Sequence, residues 1–222
     1  MHYQLSDVTL DDAEALVRSC QFPAMRHDPL RMVMFPEANS EYHKEEDEEE
    51  EIKLTIEGLE ESLENKSCYL RKVAYDSKYV GYAIWTLQSK GKSTRQKTTF
   101  KQHESWNPKA LDVNAWHQIS DRLREERCRV LQNQTDVLSK STFFHMILDL
   151  NTTQTGLNEI SVAPQHQRQG VGSMLLRWGY EMVDKDKLNC FVMASSDGLP
   201  FYRKFGFEAM GEVVTEHGTF TS

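Results

Sequence analysis

The sequence predicts a single α/β (α+β) domain. Three observations predict it: an alternating run that turns into a helix start at the amino end, two β-rich runs arranged as a hairpin, and a strand, a glycine-bearing loop and a helix in succession over Glu159–Leu176. The chain has 222 residues, 39% of them apolar and 27% charged, so it can bury a real core and has the balance of a globular protein.

The elements follow in order. His2–Val8 alternates Tyr3 and Leu5 with polar residues, as a strand does, and Thr9 with Asp11, Asp12 and Glu14 reads as a helix start before Leu16 and Val17. Pro23, Pro29 and Pro36 mark a looser stretch, which ends in the acidic run Glu45–Glu51, read as a solvated helix face or surface segment. Ile52, Leu54, Ile56, Leu59 and Leu63 carry that run into an amphipathic helix ending near Asn65. Ser67–Tyr75 and Tyr79–Leu87, joined by Asp76-Ser77-Lys78, form the hairpin. Gln88–Ser105 is polar and aperiodic, a surface loop. Asp112–Leu131 spaces Val113, Trp116, Ile119 and Leu123 as a helix with Asp112 as N-cap, and Phe143–Leu150 leans to helix.

Leu157–Val162 is a short strand stopped by Ala163-Pro164, because proline cannot continue a ladder. Gln165–Gln169 is a polar turn, and Gly170-Val171-Gly172 opens a helix with Met174, Leu175, Trp178 and Met182 as its buried stripe. A second apolar run (Leu188–Ala194), a turn (Ser195–Gly198), a short helix (Leu199–Phe205, capped by Gly206) and a final strand (Phe207–Val214) complete the pattern.

Composition excludes several classes. No run approaches the roughly 18 apolar residues of a membrane span, and the amino terminus lacks the basic and apolar regions of a secretory signal, so a cytoplasmic protein is expected. Cys20, Cys68, Cys128 and Cys190 lie far apart without CxxC or partnering His spacing, which argues against a zinc site and a disulfide framework; no metal is expected. A net charge of -8 disfavours nucleic acid and suits a basic acceptor such as an amine.

A strand feeding glycines into a helix start gathers backbone N–H groups around one point at the positive end of the helix dipole. Gly170 and Gly172 permit close approach, and Arg168 can add a charge-assisted contact to phosphate oxygens. Glycines also cap and turn helices for structural reasons alone. No Lys follows Gly172, which removes a nucleoside triphosphate loop, and Ser173–Arg177 supplies no third glycine for a dinucleotide fingerprint. What remains is Gln167-x-x-Gly170-x-Gly172 directly after Val162-Ala163-Pro164.

Here the sequence resembles the GCN5-related N-acetyltransferase (GNAT) superfamily. EISVAPQHQRQGVGSMLLRWG is similar to its acetyl-CoA motif, and LPFYRKFGF to its later tyrosine-bearing motif; the resemblance is specific over Leu157–Val213. It implies the GNAT fold, a central mixed, mostly antiparallel sheet with splayed fourth and fifth strands flanked by helices. It also implies acetyl-CoA as co-substrate, with one domain over 1–222 and an insertion at 88–150 covering the acceptor side. By that resemblance the backbone of Ile160, Ser161 and Val162 pairs with the pantetheine arm, and Gln167, Arg168, Gln169, Gly170, Val171, Gly172 and Ser173 hold the pyrophosphate. Ser195 or Ser196 stands where the superfamily often has Asn.

The same resemblance makes Tyr202 the general acid, with a packing aromatic as its ordinary alternative. Glu159 is the candidate base, although the usual acidic position lies a few residues earlier, at Gly156; a solvated strand residue is its alternative. His145, Asp149 or a water chain are further candidates. The expected function is acetyl-CoA-dependent N-acetylation of a small-molecule amine by direct attack on the thioester, by a monomer or homodimer with neither nucleic-acid nor membrane partner. The alternatives are a non-catalytic acyl-CoA-binding protein and an O-acetyltransferase.

Overall fold

The structure, a computed structural model, describes residues 2–38, 40, 44–86, 106–131, 156–186 and 190–222. The expected Gln88–Ser105 loop, the Phe143–Leu150 segment, His145 and Asp149 lie outside the described residues.

Strand β1 (Tyr3–Asp7) pairs antiparallel with β2 (Cys68–Tyr75), β2 with β3 (Lys78–Thr86), and β3 with β4 (Gly156–Val162), giving one four-stranded sheet in sequence order. The β2–β3 turn needs only Asp76 and Ser77, both left-handed at φ 48° and 63°; such a turn matches the right-handed twist of the strands it joins. Lys78, expected in the turn, already belongs to β3.

One face of this sheet carries the helices before the hairpin. After a 3-10 turn at Leu10–Asp12 come α1 (Ala13–Leu16), a π-helical turn (Val17–Gln21), α2 (Phe22–Ala24) and α3 (Pro29–Met34), followed by α4 (Glu45–Glu64). Thr9 and Asp12 form a reciprocal cap at the start. Leu16, Val17, Cys20, Ile52 and Leu59 pack there against Leu70, Tyr82 and Ile84.

The stretch read as loose is helical at Pro23 and Pro29, while Pro36 lies in a turn. Proline is compatible with a first helical turn, where its missing N–H costs nothing, and Asp28 caps α3 by accepting from the Leu30 N–H at 2.8 Å. The acidic run is a correction of the same kind: it forms the first two turns of α4, and part of it is paired rather than solvated. Glu49 takes both guanidinium NH groups of Arg18, at 2.8 and 2.7 Å, and Glu51 is buried against Arg31.

The opposite face carries α6 (Val171–Asp186), while α5 (Val113–Leu131) lies beside α3, with the Asp112 carboxylate accepting from the Ala115 N–H at 2.9 Å as expected of an N-cap. The buried side of α6 is Val171, Leu175, Gly179 and Val183, at four-residue steps, with Leu176 beside them. The expected stripe was partly displaced: Leu175 is buried, but Met174, Trp178 and Met182 are only half-buried. The reason is Gly179, whose missing side chain makes room for the fully buried Trp85 indole on β3.

Strand β5 (Ala194–Ser195), α7 (Leu199–Arg203), β6 (Glu212–Thr215) and β7 (Gly218–Thr221) complete the domain, the three strands forming a second sheet in the order β5-β7-β6. The final strand therefore begins at Glu212 rather than Phe207, and it continues into a hairpin that the sequence reading lacked. No described helix is long and apolar enough to cross a membrane.

Candidate active site

The two sheets meet at one point. Gly156 bridges Phe191 in parallel, and the Leu157 N–H donates to the Phe191 carbonyl at 3.0 Å; beyond this β4 has no partner on that side among the described residues. The strands are thus joined at the Gly156 end and parted toward Val162, the splay expected of the fold.

Register decides which backbone groups face the gap. The Ala163 N–H donates to Val80 at 2.9 Å and Tyr82 stands opposite Ser161, so alternation turns Ser161 toward β3 and leaves Ile160 and Val162 facing the open edge. Of the three residues expected to offer backbone groups, Ile160 and Val162 therefore face the gap, although the Val162 carbonyl already accepts from the Gln167 side chain.

At the end of β4 the chain passes through a 3-10 turn (Pro164–His166) into the loop before α6. Arg168 and Gly170 are left-handed, at φ 59° and 92°, and Gly170 accepts the Met174 N–H at 2.9 Å as the residue before the helix. A 16-residue helix begins here with first-turn N–H groups of Val171, Gly172 and Ser173 that lack an intrahelical acceptor.

The two glutamines expected at the ligand hold the loop instead. The Gln167 side-chain amide donates to the Val162 carbonyl at 3.1 Å; that of Gln169 donates to the Gln165 carbonyl at 2.8 Å and accepts from the Tyr3 hydroxyl at 2.7 Å. Arg168 is exposed, and a Cβ placed on Gly170 would meet nothing within 4 Å. The loop is thus braced from inside and open outside.

On the other face of β4, Glu159 and Ser161 point toward the α1 side. The Tyr82 hydroxyl lies 2.6 Å from Glu159 Oε1, the Ser161 hydroxyl donates to the same oxygen at 2.9 Å, and the Tyr82 hydroxyl also bonds Gln21 Oε1. The residue as a whole keeps some solvent access, but its carboxyl sits among protein atoms. Burial therefore drives it up to about 7; the Tyr82 and Ser161 bonds oppose the rise, and the charge of Asp28 adds to it. Asp28 is itself raised, by burial first and by Asp197 in addition.

Tyr202 is buried on α7 with its ring edge-on to Phe201 and Phe207. Burial, with the charges of Cys190 and Glu159, pushes its phenol well above the usual tyrosine range, so it stays protonated at neutral pH. Among the described residues no hydrogen bond engages its hydroxyl. Ser195 lies in β5, while Ser196 is committed to the Thr219 carbonyl at 3.1 Å. Tyr82 and Gln21 had no signal in the sequence, since their role depends on contacts across 61 and 77 positions, and Asp28 acts on Glu159 only through its charge, from far along the chain.

A splayed pair of strands, a left-handed loop at a helix start and a buried tyrosine beyond the second strand are the features that the resemblance to the GNAT superfamily implies. A family model described as an acetyltransferase (GNAT) domain matches residues 126–209, the stretch holding β4, the loop, α6, β5 and α7. An acetyltransferase of Stachybotrys chartarum is 38% identical over 52 residues, 23% of each chain, so the match spans about a quarter of that curated relative's length. Among solved structures, one from Corynebacterium glutamicum described as a histone acetyltransferase and related acetyltransferase is similar at TM-score 0.58 and 13% identity, over 100% of this chain and 94% of the other. The PaiA N-acetyltransferase of Thermoplasma acidophilum, in complex with coenzyme A, is similar at TM-score 0.50 and 12% identity, over 100% and 98%. Residues 126–209 thus match an acetyltransferase (GNAT) domain, and the chain shares the fold of these acetyltransferase structures.

Proposed function

We propose that the chain is an acetyl-CoA-dependent N-acetyltransferase acting on a small-molecule amine. The observation that carries this reading is the continuity of the open β4 edge, from Ile160 to Val162, with the left-handed loop at the start of α6. An extended arm fits the first and a pyrophosphate the second. Acetyl-CoA bound there supplies a thioester carbonyl.

The residues of the chain do the rest. Glu159, ionised above about pH 7, takes a proton from the incoming amine directly or through a water. The Val162 N–H faces the gap and donates to negative charge developing on the carbonyl oxygen. Tyr202, held protonated, gives its phenolic proton to the departing thiolate. Asp28, Asp197 and Glu159 make the surroundings acidic, which favours a cationic acceptor.

The sign of the pH dependence follows. The carboxyl is raised, so its basic form accumulates only as pH climbs through about 7, and kcat/KM rises across that range. The test is release of free thiol from acetyl-CoA with a panel of amines, with product mass spectrometry. Glu159→Gln should remove the rising limb and slow turnover by roughly 100-fold or more. Binding without turnover across the panel would favour a non-catalytic acyl-CoA-binding protein, and acetylated hydroxyl products an O-acetyltransferase.

A further inference from the structure

Tyr82 and Gln21 carry one proton too few for the bonds they make. The Tyr82 hydroxyl has a single hydrogen, yet its oxygen is within bonding distance of two acceptors, Gln21 Oε1 and Glu159 Oε1. Two arrangements resolve this. If Glu159 is protonated, it donates to the Tyr82 oxygen and Tyr82 donates to Gln21 Oε1. If Glu159 is ionised, Tyr82 donates to it, and the Gln21 amide turns its NH2 toward the Tyr82 oxygen. The turn costs little, because the Gln21 NH2 otherwise meets only the weak acceptor Met25 Sδ, at 3.7 Å. Tyr82 and Gln21 are both buried, so an unmatched donor there would be expensive.

We propose that Gln21, Tyr82 and Glu159 form a two-state hydrogen-bonded relay, in which rotation of the Gln21 amide lets Glu159 gain and lose its proton without leaving a buried polar group unpaired. Tyr82 and Gln21 are positioning residues in this scheme. The catalytic use of the relay rests on Glu159 acting as the base; the relay itself does not.

The groups facing it are Ser161 beside Glu159 on β4, Cys20 on the π-helical turn, Asp28 before α3 and Tyr202 on α7. Burial keeps Cys20 protonated, up to about 11, and Tyr202 titrates well above neutrality, so neither changes charge near pH 7. Asp28 is itself raised by burial and its charge acts on Glu159, so Asp28→Asn serves as the control.

The experiment uses the ligand-free full chain and follows the Glu159 carboxyl carbon by 13C NMR against pH, assigned through Glu159→Gln. The wild-type midpoint is expected near 7, with the Gln21 side-chain amide shifting at the same midpoint. The two variants should move it in opposite directions. Tyr82→Phe removes a bond that favours the ionised carboxyl and raises the midpoint by about one pH unit. Gln21→Leu removes the acceptor needed when Glu159 is protonated and lowers it.

A Gln21 amide that ignores pH overturns the relay, as does a midpoint that Gln21→Leu leaves unchanged or raises, or that Tyr82→Phe leaves unchanged or lowers. Should Tyr82→Phe fail to fold, the Gln21→Leu shift and the wild-type amide titration still decide. A parallel pH profile of thiol release separates the two ideas. Wild-type turnover in Glu159→Gln would remove Glu159 as base while the carbon titration stands.

Discussion

Gly179→Ala tests how tightly α6 is seated on the sheet. A Cβ on Gly179 would lie 2.5 Å from Trp85 Cδ2 and closer still to Cε2 and Cζ2, against the 3.5 to 4.0 Å of ordinary carbon contact. The indole is fully buried, so it or the helix must move by about 1 Å or more. Overpacking of this kind costs about 1–3 kcal/mol, and three ring atoms in conflict place it at the upper end. Replacing a mid-helix glycine by alanine returns about 1 kcal/mol. The net expectation is about 2 kcal/mol of destabilisation, read as a fall in Tm of roughly 4–8 °C for a chain of this size. Urea unfolding followed by tryptophan fluorescence measures it directly. Acetyl-CoA affinity, by calorimetry, should fall as well, since the helix that moves presents the loop. Equal or greater stability in Gly179→Ala would refute the reasoning, because it would mean that α6 has slack over β3.

Gly170→Ala meets no atom, so its cost is the left-handed backbone alone, about 1–2 kcal/mol, with weaker acetyl-CoA binding; calorimetry showing unchanged affinity would remove the loop from the site. Arg31→Met removes the guanidinium from the buried pair with Glu51 and should cost about 3–5 kcal/mol, whereas Arg31→Met with Glu51→Leu should recover most of it; equal losses on urea unfolding would count against a desolvated pair. Tyr202→Phe should lower kcat with little change in acetyl-CoA affinity, and wild-type kcat would take the phenol out of the proton transfer.

What the sequence made legible was local. The hairpin at Asp76-Ser77, the Asp112 cap and the passage from Val162 through Ala163-Pro164 to Gly170 are each written in a few adjacent residues whose backbone preferences leave little choice. The misreadings arose where a side-chain contact, near or distant in sequence, decides. Pro29 looks like a breaker until Asp28 is seen capping the helix it starts. Gly179 weakens a helical pattern until Trp85 is seen filling the space above it. Gln167 and Gln169 belong to a ligand motif, and their side chains brace the loop by donating to the carbonyls of Val162 at the end of β4 and Gln165 in the 3-10 turn. Glu159 was visible as an acidic residue on the right strand, whereas its raised proton affinity comes from burial by the surrounding fold, with the charge of Asp28 adding to it and the Tyr82 bond opposing it.

The parted strands also have a colloidal consequence. Among the described residues, the backbone groups of Ile160 and the Val162 N–H have no strand partner on the outer edge of β4; such groups are a template for another extended chain, and the cleft is therefore a place where copies of the protein can begin to associate. Charged flanks blunt such edges elsewhere, but Ile160 and Val162 are apolar, and no charge lies between them and Pro164. Under the proposed function, the co-substrate would protect the protein by occupying this edge as an added strand. Light scattering of concentrated samples with and without acetyl-CoA would then record occupancy as a difference in shelf life.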